Sequence, residues 1–242
     1  MELIIEFIII FVLAVFQSVF GVGLLLFGTP TFLFIGYDFE STLVLLLPVS
    51  ISISFLQIIY QKSSIQSLVS EYNLFCLPFL VLFLVIAINL GDIVDIRIYV
   101  SIFLIISSIV ILNKNRIVRM NKYLLKYRKF YLVLIGSIHG FTNMGGGFLS
   151  LFSTLVNGED RVLTRNYISY GYFVMGCIQY ITILFIGLNS IDFTKLYYVC
   201  LPLVLFSPSQ KIFNKIDNQL FMKIINFVAL IFGIVVLIIS LE

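Results

Sequence analysis

Two stretches decide the fold of this chain of 242 residues: Gly21-Val22-Gly23-Leu24-Leu25-Leu26-Phe27-Gly28-Thr29-Pro30 near its start, and Asn143-Met144-Gly145-Gly146-Gly147 past its middle. They interrupt the apolar runs 3–36 and 130–156, each long for a single helical crossing, which takes about 20 residues. Glycine and proline breaks at membrane depth free backbone N–H and C=O groups that hydrocarbon cannot satisfy. Such breaks must line a cavity or pack inside protein. We therefore expect both at the centre of the molecule rather than against lipid.

Working outward, further apolar runs occupy 42–60, 74–90, 98–112, 166–187, 196–206 and 220–241. Only 11% of the residues are charged and 61% are hydrophobic, whereas soluble domains carry about a quarter charged residues. Nucleic-acid modules, cytosolic enzymes and secreted disulfide scaffolds are thereby excluded. What remains is an all-α polytopic membrane protein. Its N-terminal Met1-Glu2-Leu3-Ile4-Ile5-Glu6 lacks the Lys/Arg start of a cleavable signal and reads as a retained membrane segment. Cys76, Cys177 and Cys200 lie in apolar runs without CxxC spacing and are expected as small buried side chains.

The chain is duplicated. Cys76-Leu77-Pro78 recurs 124 positions later as Cys200-Leu201-Pro202. Gly23 maps onto Gly145, and Gln57 onto Gln179, each 122 positions on. This gives two transmembrane repeats of four apolar segments, 1–112 and 130–242, joined by a basic linker, 113–129, with seven Lys and Arg residues. Positive charge collects in cytoplasmic loops, so the linker is placed in the cytoplasm and not on a nucleic acid. If all eight segments crossed, 9 Lys and Arg would lie inside and 6 outside. If the two glycine-broken segments are hairpins that return to the side they entered, the split becomes 13 inside and 2 outside, Arg97 and Lys195. The second arrangement is favoured. Each repeat then has three full crossings, an odd number, so the repeats are inverted. Paired discontinuous segments in inverted repeats are a recurring design of secondary transporters, with the substrate near the midplane.

A half-helix that starts at mid-membrane points unpaired N–H groups and the positive end of its dipole at the centre. The candidate substrate-binding residues are Gly21, Gly23, Thr29, Pro30, Gln57, His139, Asn143, Gly145, Gly146, Gly147 and Gln179, with Ser54, Thr142, Ser150 and Ser153 nearby. No Asp or Glu lies deep in an apolar segment, Glu6 being close to the N-terminal end. A cation site or proton relay would bring carboxylates, so a small anion is favoured. Each group also has a plainer reading: the glycines as close-packing surfaces, the two glutamines as interhelical hydrogen-bond partners, His139 as a structural donor. Arg161 and Arg165 are read as interface anchors, with contact to the substrate as the alternative for Arg165, near the start of its helix. No catalytic residue, metal ligand set or cofactor motif is evident.

The broken segments resemble the signature regions of the sulfite exporter TauE/SafE family of bacterial membrane permeases, whose repeats each carry Gly-x-Gly-Gly-Gly and then a proline. Gly21, Gly23 and Pro30 match the first signature, with Leu24 and Leu25 in place of its later glycines. His139-Gly140, Gly145-Gly146-Gly147 and Phe148-Leu149 match the second, with Phe152 near where the proline would fall. The resemblance implies a multi-pass permease of the cell inner membrane for sulfite, an organosulfonate or a related organic acid, working by a secondary mechanism. Its partners would be the anion and the lipid bilayer, and homo-oligomerisation is left open. Two other functions compete. An intramembrane enzyme acting on a lipid-linked substrate would need a positioned base, nucleophile or metal. A non-transporting membrane partner or assembly protein would bind no small ligand.

Overall fold

The computed structural model describes residues 2–61, 66–90, 126–157, 160–186 and 193–221, with a few single positions beyond them. The elements are α1 (Glu2–Phe20), α2 (Leu24–Ile35), α3 (Phe39–Gln61), α4 (Gln66–Phe75), α5 (Leu77–Leu90), α6 (Arg128–Thr142), α7 (Gly146–Asn157), α8 (Arg161–Ile186), a 3-10 helix (Phe193–Cys200) and α9 (Leu201–Lys215). Among the described residues there is no strand. Four stretches are long and apolar enough to cross a membrane: Leu3–Phe20, Phe39–Gln61, Val69–Leu90 and Arg161–Ile186. Most of the run 98–112, of 220–241 and of the linker 113–129 lies outside the described residues.

Polarity is distributed inside out. Phe185, Val204 and Leu203 are 87%, 74% and 64% exposed, while Gln17, Ser50, Ser54, Gln57 and Gln179 are fully buried. An apolar exterior over a polar interior suits hydrocarbon surroundings, where polar groups must be satisfied inside the protein. The same logic accounts for the cysteines: Cys76 is buried, but Cys177 is half-buried and Cys200 exposed, since an apolar surface accepts a thiol as readily as a core does.

Both glycine-broken segments double back. Along α1 and α2, Phe16 meets Phe27 with ring centroids 5.6 Å apart, Gln17 accepts from the Leu24 N–H, and the Tyr37 hydroxyl reaches Glu6. Residue numbers that rise on one helix fall on the other, which is the mark of an antiparallel hairpin. In the second segment Tyr131 of α6 stacks on Phe152 of α7 at 5.5 Å, and His139 accepts from the Gly145 N–H. The long helices α3 and α8 also pack antiparallel through Phe55–Phe173 and Gln57–Ser169. The first hairpin tip lies beside Ser50 to Gln57, in the second half of α3. The second lies beside Tyr172 to Gln179 of α8.

Local chemistry explains the joints. Asp38 and Asp160 cap α3 and α8: the N–H groups of Ser41 and of Val162 donate to their carboxylates at 2.7 Å and 2.8 Å. Both Cys-Leu-Pro tripeptides sit at a helix junction, α4 to α5 and 3-10 helix to α9. The proline lacks an N–H and suits the first turn of the second helix. The run read as 196–206 spans the end of the 3-10 helix and the start of α9, which continues to Lys215. Ser207-Pro208-Ser209-Gln210-Lys211 looked like its end, but Ser209 and Gln210 are buried against protein.

Helix α6 lies directly on the α4–α5 joint, because Gly136 and Gly140 present bare backbone one turn apart. A Cβ on Gly136 would overlap the Cys76 carbonyl oxygen, and one on Gly140 the Leu80 carbonyl oxygen. Small residues at this spacing let helices in membranes approach closely. Gly140→Val should destabilise the fold by about 2 kcal/mol or more, the usual range for forcing extra carbons into a packed contact. Thermal unfolding in mild detergent would read this as a clear fall in midpoint. An unchanged midpoint would mean that α6 does not seat on α5 through this glycine.

Candidate functional site

At the first break, Gly21 has φ 79° and Gly23 φ 142°, conformations that L side chains rarely adopt. Two glycines two apart therefore end α1 and start α2 within three residues. The freed groups are gathered by neighbouring side chains. The Leu24 N–H donates to Gln17 Oε1 at 3.2 Å, and Gln17 Nε2 donates to Ser50 Oγ at 2.9 Å and Ser54 Oγ at 3.3 Å. Gln57 Nε2 donates to the carbonyls of Gln17 and Ser18 at 2.9 Å and 3.0 Å, and its Oε1 accepts from Ser169 at 2.7 Å.

Arg165 completes this joint, and here the sequence expectation is corrected. Arg165 is no interface anchor but fully buried. Its Nη1 donates to the carbonyls of Val19 and Ser18 at 3.3 Å and 3.5 Å, and its Nη2 to Gln210 at 2.6 Å. Gln61, with its side-chain oxygen turned to the guanidinium, accepts from Nε at 2.9 Å and Nη2 at 2.8 Å. The guanidinium lies over the Phe213 ring at 3.6 Å. Every acceptor is neutral. The negative end of the α1 dipole is what the charge meets, and among the described residues no carboxylate pairs with it. Arg161 does stand at the helix end, where it donates to the carbonyls of Phe213 and Ile216 and is partly exposed.

The second break is built in the same manner with different residues. Asn143 takes the left-handed turn, φ 61°, which asparagine tolerates better than most residues. Its N–H donates to the His139 carbonyl at 2.8 Å, as that of Gly21 does to Gln17 at 2.7 Å. The Gly145 N–H donates to His139 Nδ1 at 3.1 Å, and Gln179 Nε2 donates to the His139 carbonyl at 3.5 Å. Gly146 and Gly147 open α7. Gly146 faces Tyr172, since a Cβ there would overlap the Tyr172 hydroxyl.

Of the residues read from the sequence, His139, Asn143, Gly145, Gly146, Gly147 and Gln179 gather at the second break, and Gly21, Gly23 and Gln57 at the first. Thr29, inside α2, joins the second break, accepting from Asn143 Nδ2 at 2.9 Å. Pro30 lies inside α2, seven residues past Gly23 and away from the break. Glu6 is buried at 3% exposure, at the open end of the first hairpin, where Lys195 pairs with it at 2.5 Å. Gln17, Ser50, Arg165, Ser169, Tyr172 and Gln210 escaped the sequence reading. The 122-residue offset could have found one of them, because Gln17 stands 122 positions before His139.

Arg165→Met removes the guanidinium and leaves the Ser18 and Val19 carbonyls without that donor. A loss of about 2–3 kcal/mol in unfolding free energy is expected, and lysine should rescue only part of it because one ammonium cannot reproduce the planar fork. Denaturation followed by helical circular dichroism checks this, and an unperturbed variant would mean that α1 is capped by something else. Comparison with protein-family models, with curated proteins and with solved structures finds no match to this chain.

Proposed function

We propose that this chain is a secondary permease that carries a small anion across a membrane by alternating access, with the substrate at the paired helix breaks between two inverted repeats. The observation that carries the reading is that the two breaks are made by the same device at equivalent positions. Gln17 and His139 each supply the acceptor for the N–H that opens the following half-helix. Gly21 and Asn143 each take the left-handed turn. Asp38 and Asp160 each cap the next long helix. All three pairs are 122 positions apart.

Inversion has its own support. α3 and α8 correspond under this offset and run antiparallel, as equivalent helices do across an axis in the membrane plane; an axis along the normal would leave them parallel. The hairpin ends agree. Glu6 of α1 pairs with Lys195 at 2.5 Å, and Arg128 of α6 pairs with Glu71 of α4 at 2.6 Å. Under offsets of 122 and 124 these are the same pair with its signs exchanged. The reading puts Arg128–Glu71 beside the cytoplasmic linker and Glu6–Lys195 on the opposite face of the inner membrane.

The anion class rests on the lining. Among the described residues, no Asp or Glu contacts either break, and the one full charge near them is the Arg165 cation. The resemblance to the TauE/SafE permeases narrows the candidates to sulfite, organosulfonates and small organic acids. The test is thermal unfolding of the purified protein against sulfite, sulfate, thiosulfate, sulfoacetate, acetate, lactate and phosphate, followed by flux of the best binder into proteoliposomes. A ligand at a hundred times its dissociation constant stabilises the folded state by about 2.7 kcal/mol, so a selective rise with one anion and protein-dependent flux of it are expected. A flat panel without flux would turn the assignment towards a non-transporting membrane partner.

A further inference from the structure

We infer that the ligand is held at the second break alone, with the Tyr172 hydroxyl as one of its binding groups, and that it carries a hydroxyl as well as its negative charge. This rests on the small-anion reading and goes beyond it by choosing between two breaks that the duplication makes look alike.

The two differ in what they leave unpaired. At the first break nearly every side-chain polar atom is bonded: both ends of Gln17 and Gln57, the hydroxyls of Ser50, Ser54 and Ser169, and every nitrogen of Arg165. Ser18 Oγ is the exception. At the second break the Tyr172 hydroxyl, Asn143 Oδ1, His139 Nε2 and Gln179 Oε1 are all buried without a hydrogen-bond partner among the described residues. The His139 and Gln179 side chains lie near each other. Pairing them would still leave Tyr172 and Asn143 unsatisfied. Buried polar groups are bonded in the great majority of cases, and a cluster of exceptions calls for an occupant.

The geometry says what kind. α7 has 12 residues, and its first N–H groups have no acceptor within the helix. Tyr172 is fully buried and its hydroxyl is aimed at that end, against Gly146. Because His139 Nδ1 accepts from the Gly145 N–H, the hydrogen of the neutral imidazole sits on Nε2. The site thus offers the tyrosine O–H, the imidazole Nε2–H and the helix-end N–H groups to an oxyanion. It offers Asn143 Oδ1 to a donor on the same molecule. An anion without a hydroxyl would leave that oxygen buried and unpaired, which is costly.

The test compares dissociation constants, from thermal unfolding of the full chain, for two probe pairs: lactate with propionate, and 2-hydroxyethanesulfonate with ethanesulfonate. In the unaltered protein the hydroxyl-bearing member of at least one pair is expected to bind more tightly. Tyr172→Phe should weaken it by roughly tenfold or more, the loss of one charge-assisted hydrogen bond. Gln179→Leu is the second variant at this break. Ser50→Ala, at the position equivalent to Tyr172, should leave the dissociation constant unchanged. Weakening by Ser50→Ala equal to or greater than that by Tyr172→Phe would overturn the inference while leaving the small-anion reading intact. So would tighter binding of both members that lack the hydroxyl. If no anion, including sulfite, stabilises the unaltered protein, the small-anion reading fails and this inference falls with it.

Discussion

The constraint on which everything else depends is the cost of an unsatisfied peptide group in an apolar medium. A helix that stops inside hydrocarbon exposes about four carbonyls, and the helix that restarts exposes about four N–H groups. This chain stops and restarts twice, at Gly21–Gly23 and at Asn143–Gly145. The interior is arranged around those two points. Gln17, Gln57, Arg165 and Gln210 converge on the first, and His139, Gln179 and Thr29 on the second. The polar side chains of α3 and α8 face inward for this reason, leaving the outward faces to leucine, valine and phenylalanine.

One device serves two sites with different completeness. The first break has a buried cation that no residue of the second matches, since the position 122 before Arg165 is Leu43. With that guanidinium the end of α1 is tied to α8, and through Gln210 to α9. At the second break a single amide donates to the end of α6, at the long distance of 3.5 Å. The two breaks share a design, but at the first nearly every polar side-chain atom is bonded, while the second leaves several unpaired.

Much of this was legible in the sequence, and for physical reasons. Left-handed backbone favours glycine, so Gly21 and Gly23 marked the first turn without any knowledge of packing, whereas the second turn is taken by Asn143 beside Gly145. The 122-residue offset transferred the reading from one half to the other. What could not be read was which side chains come to the breaks from elsewhere. Arg165 looks like an interface residue because α8 begins four residues before it and a charge near a helix end ordinarily faces water. Only the packing of α1 and α9 against it buries the group. Tyr172 is one of 13 tyrosines, and its hydroxyl direction is set by the rotation of α8, which apolar periodicity leaves open in a helix apolar on most faces. The end of α9 was misjudged because a polar stretch inside a membrane protein looks the same whether it faces water or lines the interior.

The claim at the centre is that each broken segment enters and leaves on one side of the membrane, the two on opposite sides. Cysteine accessibility in intact cells or sealed vesicles tests it most directly, in a chain whose three native cysteines are replaced by serine. Single cysteines at the exposed positions Leu3, Ser41, Lys126 and Val162 flank the two hairpins. Labelling of Leu3→Cys and Ser41→Cys by an impermeant reagent from outside, with Lys126→Cys and Val162→Cys reached only from the cytoplasmic side, is the predicted result. Labelling of Leu3→Cys and Ser41→Cys from opposite sides would make the first segment a full crossing and contradict the inverted arrangement.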